Sequence, residues 1–210
     1  GTMQGGKRIR PFLVYATGNM FNIAPEKLDN LAAAIECIHA YSLIHDDLPA
    51  MDDDGLRRGK PSTHIQFGEA LAILAGDALQ AAAFQTLAED ELLDPAARLR
   101  LIQALSTASG IQGMVGGQVH DMAGEHQGLS LSALTEMHAL KTGALIETSV
   151  LMGAVAAGVF AGPQYEALRE YGAAIGLAFQ IQDDILDVTG TTASIGKIAG
   201  ADAAHAKPTY

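Results

Sequence analysis

ECIHAYSLIHDDLPAMDDDGLRRGKPSTH, residues 36–64, is the stretch from which the rest of the chain is read. An apolar helical run ends in Asp46 and Asp47, Pro49 follows, then Asp52, Asp53 and Asp54, and after them Arg57 and Arg58. Pro49 disfavours helical geometry at Leu48, so Asp46 and Asp47 are expected in a last helical turn. That end of a helix already carries partial negative charge. Five acids within nine residues add repulsion of roughly 3 kcal/mol per close pair at an effective dielectric of about 20. A bound divalent cation relieves both penalties. Oxygen donors without a Cys or His cluster favour a hard ion such as magnesium, and the planar forks of Arg57 and Arg58 suit phosphate oxygens. Taken alone, the run also reads as a solvated acidic loop.

A second acidic stretch, FQIQDDILDV at 179–188, tips the balance toward metal binding. Asp183 and Asp187 are four apart on one helix face, and like charges so placed destabilise a helix unless a cation lies between them.

The 210 residues suffice for one domain with a real core, and 49% are hydrophobic against 18% charged. Abundant Ala and Leu, with no alternating strand pattern, argue for an all-α fold. A net charge of −11 speaks against nucleic acid as a partner. The single Cys37 excludes an internal disulfide and points to a reducing compartment. The most apolar windows are broken by Gly, charge or polar residues, so no membrane span is expected. Residue 1 is not Met and Lys207-Pro208-Thr209-Tyr210 reads as the start of another element, so the chain is expected to be part of a longer one.

In chain order, GGKRIRP at 5–11 opens a first helix to about Met20, with Lys7 and Arg10 on one face. A second helix runs from about Leu28 to Asp47. His39 and Asp46 lie two turns apart on one side of it, although a lone His there also reads as a satisfied core residue. A long loop to about Gln66 precedes a helix from Phe67 to Leu87, in which Asp77 could be a buried polar group. Asp94-Pro95 is an N-cap followed by proline, beginning a helix to about Ser109. Gly110, Gly113, Gly116 and Gly117 either kink the helical pattern or let another backbone approach. Gln118 and Asp121 share a face. Ser130 or Ser132 caps the next helix, within which Lys141-Thr142-Gly143 interrupts an apolar stretch. Snorkelling and local bonding explain Lys141 and Thr142; a phosphate partner is the sharper reading. Pro163 begins the last long helix and Gly190 ends it.

Together GGKRIRP (5–11), SLIHDDLPAMDDDGLRRGKPSTH (42–64), KTGALI (141–146) and FQIQDDILDV (179–188) resemble the signature segments of the trans-isoprenyl diphosphate synthases. They follow the family's order along the whole chain and look most like the bacterial members that make a fifteen-carbon product. The resemblance implies an isoprenoid-synthase-type all-α bundle around a central cavity, with residues 1–210 forming part of a single catalytic domain. It also implies a homodimer and three magnesium ions, with manganese able to substitute, while a cytoplasmic setting is the default expectation from the sequence. Position by position, Lys7, Arg10, His39 and Arg58 look like the isopentenyl diphosphate contacts. Asp46 and Asp52 look like first-site metal ligands, the four residues between the Asp46-Asp47 pair and Asp52 matching the bacterial insertion. Asp183 looks like the ligand of the third ion, with Asp187 in support. Arg57, Lys141, Thr142, Gln180, Lys197 and Lys207 look like the allylic diphosphate contacts. Asp46, Asp52, Asp183, Arg57 and Lys141 would carry the chemistry.

The implied reaction ionises an allylic diphosphate and lets isopentenyl diphosphate attack the cation, needing no side-chain nucleophile. Tyr41 precedes Asp46 by five residues, about 7.5 Å along the helix, and would stop the growing chain, unless it is merely core. A twenty-carbon product, a catalytically silent subunit, and a metal-dependent phosphohydrolase built on His39, His45 and His64 are the alternatives. The last leaves the second aspartate stretch and the Lys-Thr pair unexplained.

Overall fold

The computed structural model describes residues 5–124 and 129–189. Its helices are α1 (Ile9–Met20), α2 (Asp29–Asp46), α3 (Thr63–Phe67), α4 (Glu69–Ala88), α5 (Pro95–Ser109), α6 (Met114–Gly124), α7 (Leu131–His138), α8 (Ala144–Ala156) and α9 (Pro163–Thr189). The fold is all-α apart from a two-stranded ribbon. Strands β1 (Leu56–Arg57) and β2 (Lys60–Pro61) pair antiparallel within the stretch expected to be loop.

α8 is the centre of the bundle. Nearly every side chain from Leu145 to Val155 is buried, as expected of a helix that is apolar all round. Its Leu145 and Met152 join Val14 of α1, Leu31, Ile35 and Ile38 of α2, and Leu101 and Leu105 of α5 in the main core. A second cluster joins Leu13 of α1, Ile146 and Val150 of α8 and Leu168 of α9. α8 therefore fixes the helices that carry the acidic and basic motifs relative to one another.

Local chemistry sets the element ends. α2 stops at Asp46, just ahead of Leu48, where Pro49 disfavours helical geometry. Asp94 accepts a hydrogen bond from the Ala96 amide at 2.8 Å, and Ser130, not Ser132, caps α7 by accepting from the Ala133 amide at 3.2 Å. Between α7 and α8 the backbone passes through a π-helical turn, Ala139–Gly143, so that Lys141 and Thr142 sit on a bulge in a continuous rod.

Asp77 departs from expectation: it is exposed, on the outer side of α4. Two helical rods, Glu69–Ala88 and Leu131–Ala156, are long and apolar enough to cross a membrane by length and composition. The second owes its apolarity to the core. The first leaves an apolar side uncovered, with Leu71 58% and Leu74 61% exposed. Gly190 lies outside the described residues.

Candidate active site

A cavity of about 690 Å³ opens between α2, α6, the π-helical turn and α9. Lys7, Arg10, His39, Tyr41, Asp46, Asp52, Arg57, Arg58, Lys141, Thr142, Gln180, Asp183 and Asp187 all border it. Of the expected site residues, Lys197 and Lys207 lie outside the described residues.

One end of the cavity is cationic. The Gly5–Arg8 segment, the start of α1, α2 and the β1–β2 turn bring Lys7, Arg8, Arg10, His39 and Arg58 to the cavity, with Arg8, Arg10 and Arg58 acting on His39. Burial, together with Arg10, Arg58, Arg57 and Arg8, holds His39 well below its ordinary value, so the imidazole is neutral at pH 7. Burial and Arg58 push Arg10 down to about 10, which leaves it charged. Arg8 is paired with the buried Glu36. Neither residue stood out in the sequence: Glu36 looks like one polar position in an apolar helix, and the three-residue spacing singles out Lys7 and Arg10.

The first acidic wall is made by a tight turn. The Asp52 amide donates to the Asp46 carbonyl at 2.8 Å and the Asp53 amide to that of Leu48 at 3.1 Å. This returns the chain after Pro49 and sets Asp52 beside Asp46. Asp47 points the other way, fully buried, and receives the Arg57 guanidinium, whose Nε lies 2.9 Å from Oδ1. Arg57 also donates to Asp54 at 3.0 Å. Although Arg57 borders the cavity, it is more strongly tied to carboxylates than its expected phosphate role suggested. Burial opposes its charge, but Asp47 and Asp54 outweigh burial and raise its pKa.

The opposite wall comes from α6, the π-helical turn and α9. Lys141 donates to Asp121 at 2.5 Å. Burial disfavours the Lys141 ammonium, yet Asp46, Asp121 and Asp52 overcome it and keep the charge. The Thr142 hydroxyl donates to Gln180 Oε1 at 3.0 Å, and Gln180 Nε2 to Asp184 Oδ1 at 2.7 Å. Thr142 thus bonds across to α9 and not to its own helix. A side chain at Gly117 would place Cβ 2.2 Å from the Lys141 backbone nitrogen, so the expected close approach occurs there. Asp121, His138 and Asp184 join the site unforeseen. Asp184 is missed because helical spacing favours the Asp183 and Asp187 face, whereas the cavity wraps far enough around α9 to meet all three.

Among the described residues no three acidic, His or Cys side chains converge closely enough to enclose an ion by themselves. The acidic donors lie on two facing walls and are all carboxylate oxygens, a set that suits a hard divalent ion whose shell is completed by ligand oxygens. A histidine-based metal centre is not supported. His45 Nε2 lies 3.0 Å from the Ile73 carbonyl, and His64 Nδ1 lies 3.1 Å from the Ser62 hydroxyl.

The polyprenyl synthetase family model matches residues 2–210. Farnesyl diphosphate synthase of Escherichia coli (strain K12) is 55% identical over 212 residues, covering 100% of this chain and 71% of that protein. Farnesyl diphosphate synthase of Geobacillus stearothermophilus is 52% identical, covering 98% and 70%. A crystal structure of geranyltransferase from Helicobacter pylori, complexed with magnesium and isoprenyl diphosphate, superposes with a TM-score of 0.90 at 38% identity, covering 98% of this chain and 69% of that one.

The neutral His39 gives a pH signature independent of any ligand. Its folded pKa lies below the unfolded value of about 6.5. As pH falls through that value the unfolded chain takes up a proton that the native state refuses, so stability declines by up to ~1.4 kcal/mol per pH unit. Urea unfolding at pH 7.5 and 5.5 will show the unsubstituted protein losing more stability than His39→Gln; equal losses refute the neutral imidazole.

Proposed function

Because the chain belongs to the polyprenyl synthetase family, we infer that it is a short-chain trans-prenyltransferase. It condenses isopentenyl diphosphate with dimethylallyl or geranyl diphosphate to form farnesyl diphosphate. One observation carries this reading: a cationic end and two facing carboxylate walls border a single cavity.

Residues 1–210 form part of a single catalytic domain. Lys7, Arg10, His39 and Arg58 bind isopentenyl diphosphate, where the neutral imidazole can hydrogen-bond without adding charge. Lys141, Thr142, Gln180 and Arg57, with Lys197 and Lys207, bind the allylic diphosphate. Asp46 and Asp52 on one wall, and Asp183 with Asp187 on the other, would hold three magnesium ions, with manganese able to substitute. The chemistry such ions supply is neutralisation of the charge that develops on a departing diphosphate. Lys141, kept protonated by Asp46, Asp121 and Asp52, adds a fixed positive charge beside that leaving group.

The allylic C–O bond breaks with its electron pair going to diphosphate. The double bond of isopentenyl diphosphate then attacks the allylic carbon, and the proton lost from the new chain passes to the departing diphosphate. The apolar lining, Val115, Val119 and Met122 among it, excludes water from the cation. Tyr41 closes the hydrocarbon end. It is buried on α2, with its ring edge-on to His45 at 5.7 Å between centroids.

The active unit is a homodimer. Leu71, Leu74, Ala78 and Ala81 form one exposed stripe along α4 at helical spacing, extended by Ile65 and Phe67. A second copy covers such a stripe most simply, since the same surface then meets itself about a twofold axis. A cytoplasmic setting fits Cys37, half-buried and without a disulfide, its thiol pushed up by burial.

With geranyl diphosphate, isopentenyl diphosphate and magnesium, the protein should release diphosphate and form a fifteen-carbon product. Asp46→Ala or Asp183→Ala should lower turnover by about 100-fold or more while leaving the fold intact. Unfolding in step with lost activity would make these carboxylates structural. Tyr41→Ala with excess isopentenyl diphosphate should yield products of twenty carbons or longer; an active variant that still stops at fifteen places the floor elsewhere. Leu74→Lys should halve the mass measured by sedimentation. A protein that is monomeric without the substitution, or a variant that still dimerises, contradicts the α4 interface.

A further inference from the structure

We propose that Glu36 is a positioning residue for the isopentenyl diphosphate end of the cavity, a buried carboxylate that fixes the Arg8 and Arg58 guanidinium groups before substrate arrives. The proposal rests on the assignment of that end under Proposed function. Glu36 sits on α2 one turn before His39, is 7% exposed and borders the cavity. A carboxylate so deeply buried needs cationic partners. It is ion-paired with Arg8, and Arg58 Nη2 lies 4.0 Å from the same oxygen.

Both arginines are held where their backbones are uncomfortable. Arg8 has φ 51° and Arg58 φ 54°, the left-handed region that side-chain-bearing residues rarely adopt. Such strain persists only where the surroundings impose it. Arg58 donates to the Gly5 carbonyl at 3.0 Å, and its guanidinium lies so close over Gly6 that a Cβ there would come within 2.5 Å of its central carbon. The Gly5–Arg8 segment, α2 and the β1–β2 turn thus meet at Glu36. Electrostatics give the carboxylate a purpose. Burial, Arg8 and Arg57 depress Arg58, and Arg58 in turn helps depress Arg10, so the cations resist being gathered. Glu36 offsets that resistance before substrate binds and has its own charge taken up by the arginines.

A carboxylate that only repels an anionic substrate would weaken binding, and its removal would lower KM. A carboxylate that pre-sets two arginines strengthens binding, and its removal raises KM for one substrate alone. Steady-state kinetics on the purified protein should show Glu36→Gln raising KM for isopentenyl diphosphate about tenfold, with KM for geranyl diphosphate within about twofold. Glu36→Asp keeps the charge at shorter reach and should give the same selective rise, about threefold. Thermal unfolding reports whether each variant is folded, and Glu36→Asp decides the matter if Glu36→Gln is not. The proposal is overturned if KM for isopentenyl diphosphate is unchanged or lower in a folded variant, or if both KM values rise together. A protein that forms no product even without substitution refutes the functional reading itself.

Discussion

Carboxylates from two distant segments are held on walls of one cavity, Asp46 and Asp52 at and just after the end of α2 and Asp183, Asp184 and Asp187 on α9. No three of the described acidic side chains close on a common point. The rest of the fold maintains that gap. Both acidic surfaces are tied to the same buried rod. α8 packs on α1 and α2 through the main core and on α9 through the second cluster. The placing of the two walls thus rests on apolar burial, at about 25 cal/mol per Å², with Lys141 set between carboxylates of both.

Each charged wall also has its own bracing, from carboxylates that border the cavity themselves, Asp47 alone excepted. Asp47 and Asp54 hold Arg57, Asp121 holds Lys141, Asp184 holds Gln180 and through it Thr142, and Glu36 holds Arg8. Cations paired in this way keep their charge despite burial, as the raised values of Arg57 and Lys141 indicate. The π-helical turn does for the backbone what these pairs do for the side chains. It turns Lys141 and Thr142 out of a core rod whose neighbouring turns are apolar.

Much of this was legible in the sequence because the signals were local. Pro49 ends α2 and Asp94-Pro95 starts α5 for steric and hydrogen-bonding reasons that need no knowledge of the fold. Part of the cavity's charge was legible too, since close acids and a pair of arginines single out Asp46, Asp52, Arg57 and Arg58, which border it. The features that escaped depend on partners distant in sequence. Glu36 acquires meaning only when Arg8, 28 residues away, arrives beside it. Arg57 looked available for phosphate because nothing in its own segment shows Asp47 turning inward. The β1–β2 ribbon has strands too short for an alternating pattern. Asp77 could have been buried because its neighbours are apolar, yet Ile73, Ala78 and Ala81 belong to the exposed face of α4 and only Ala72 is buried.

The central claim is that the two acidic walls become one metal site only when a diphosphate spans them. Titration calorimetry with magnesium tests it, run on the purified protein with and without inorganic pyrophosphate and corrected for magnesium binding by free pyrophosphate. The account predicts weak uptake by the protein alone and tight uptake of more than one ion per chain when pyrophosphate is present. Tight magnesium binding in the absence of pyrophosphate, or uptake that pyrophosphate leaves unchanged, would contradict it.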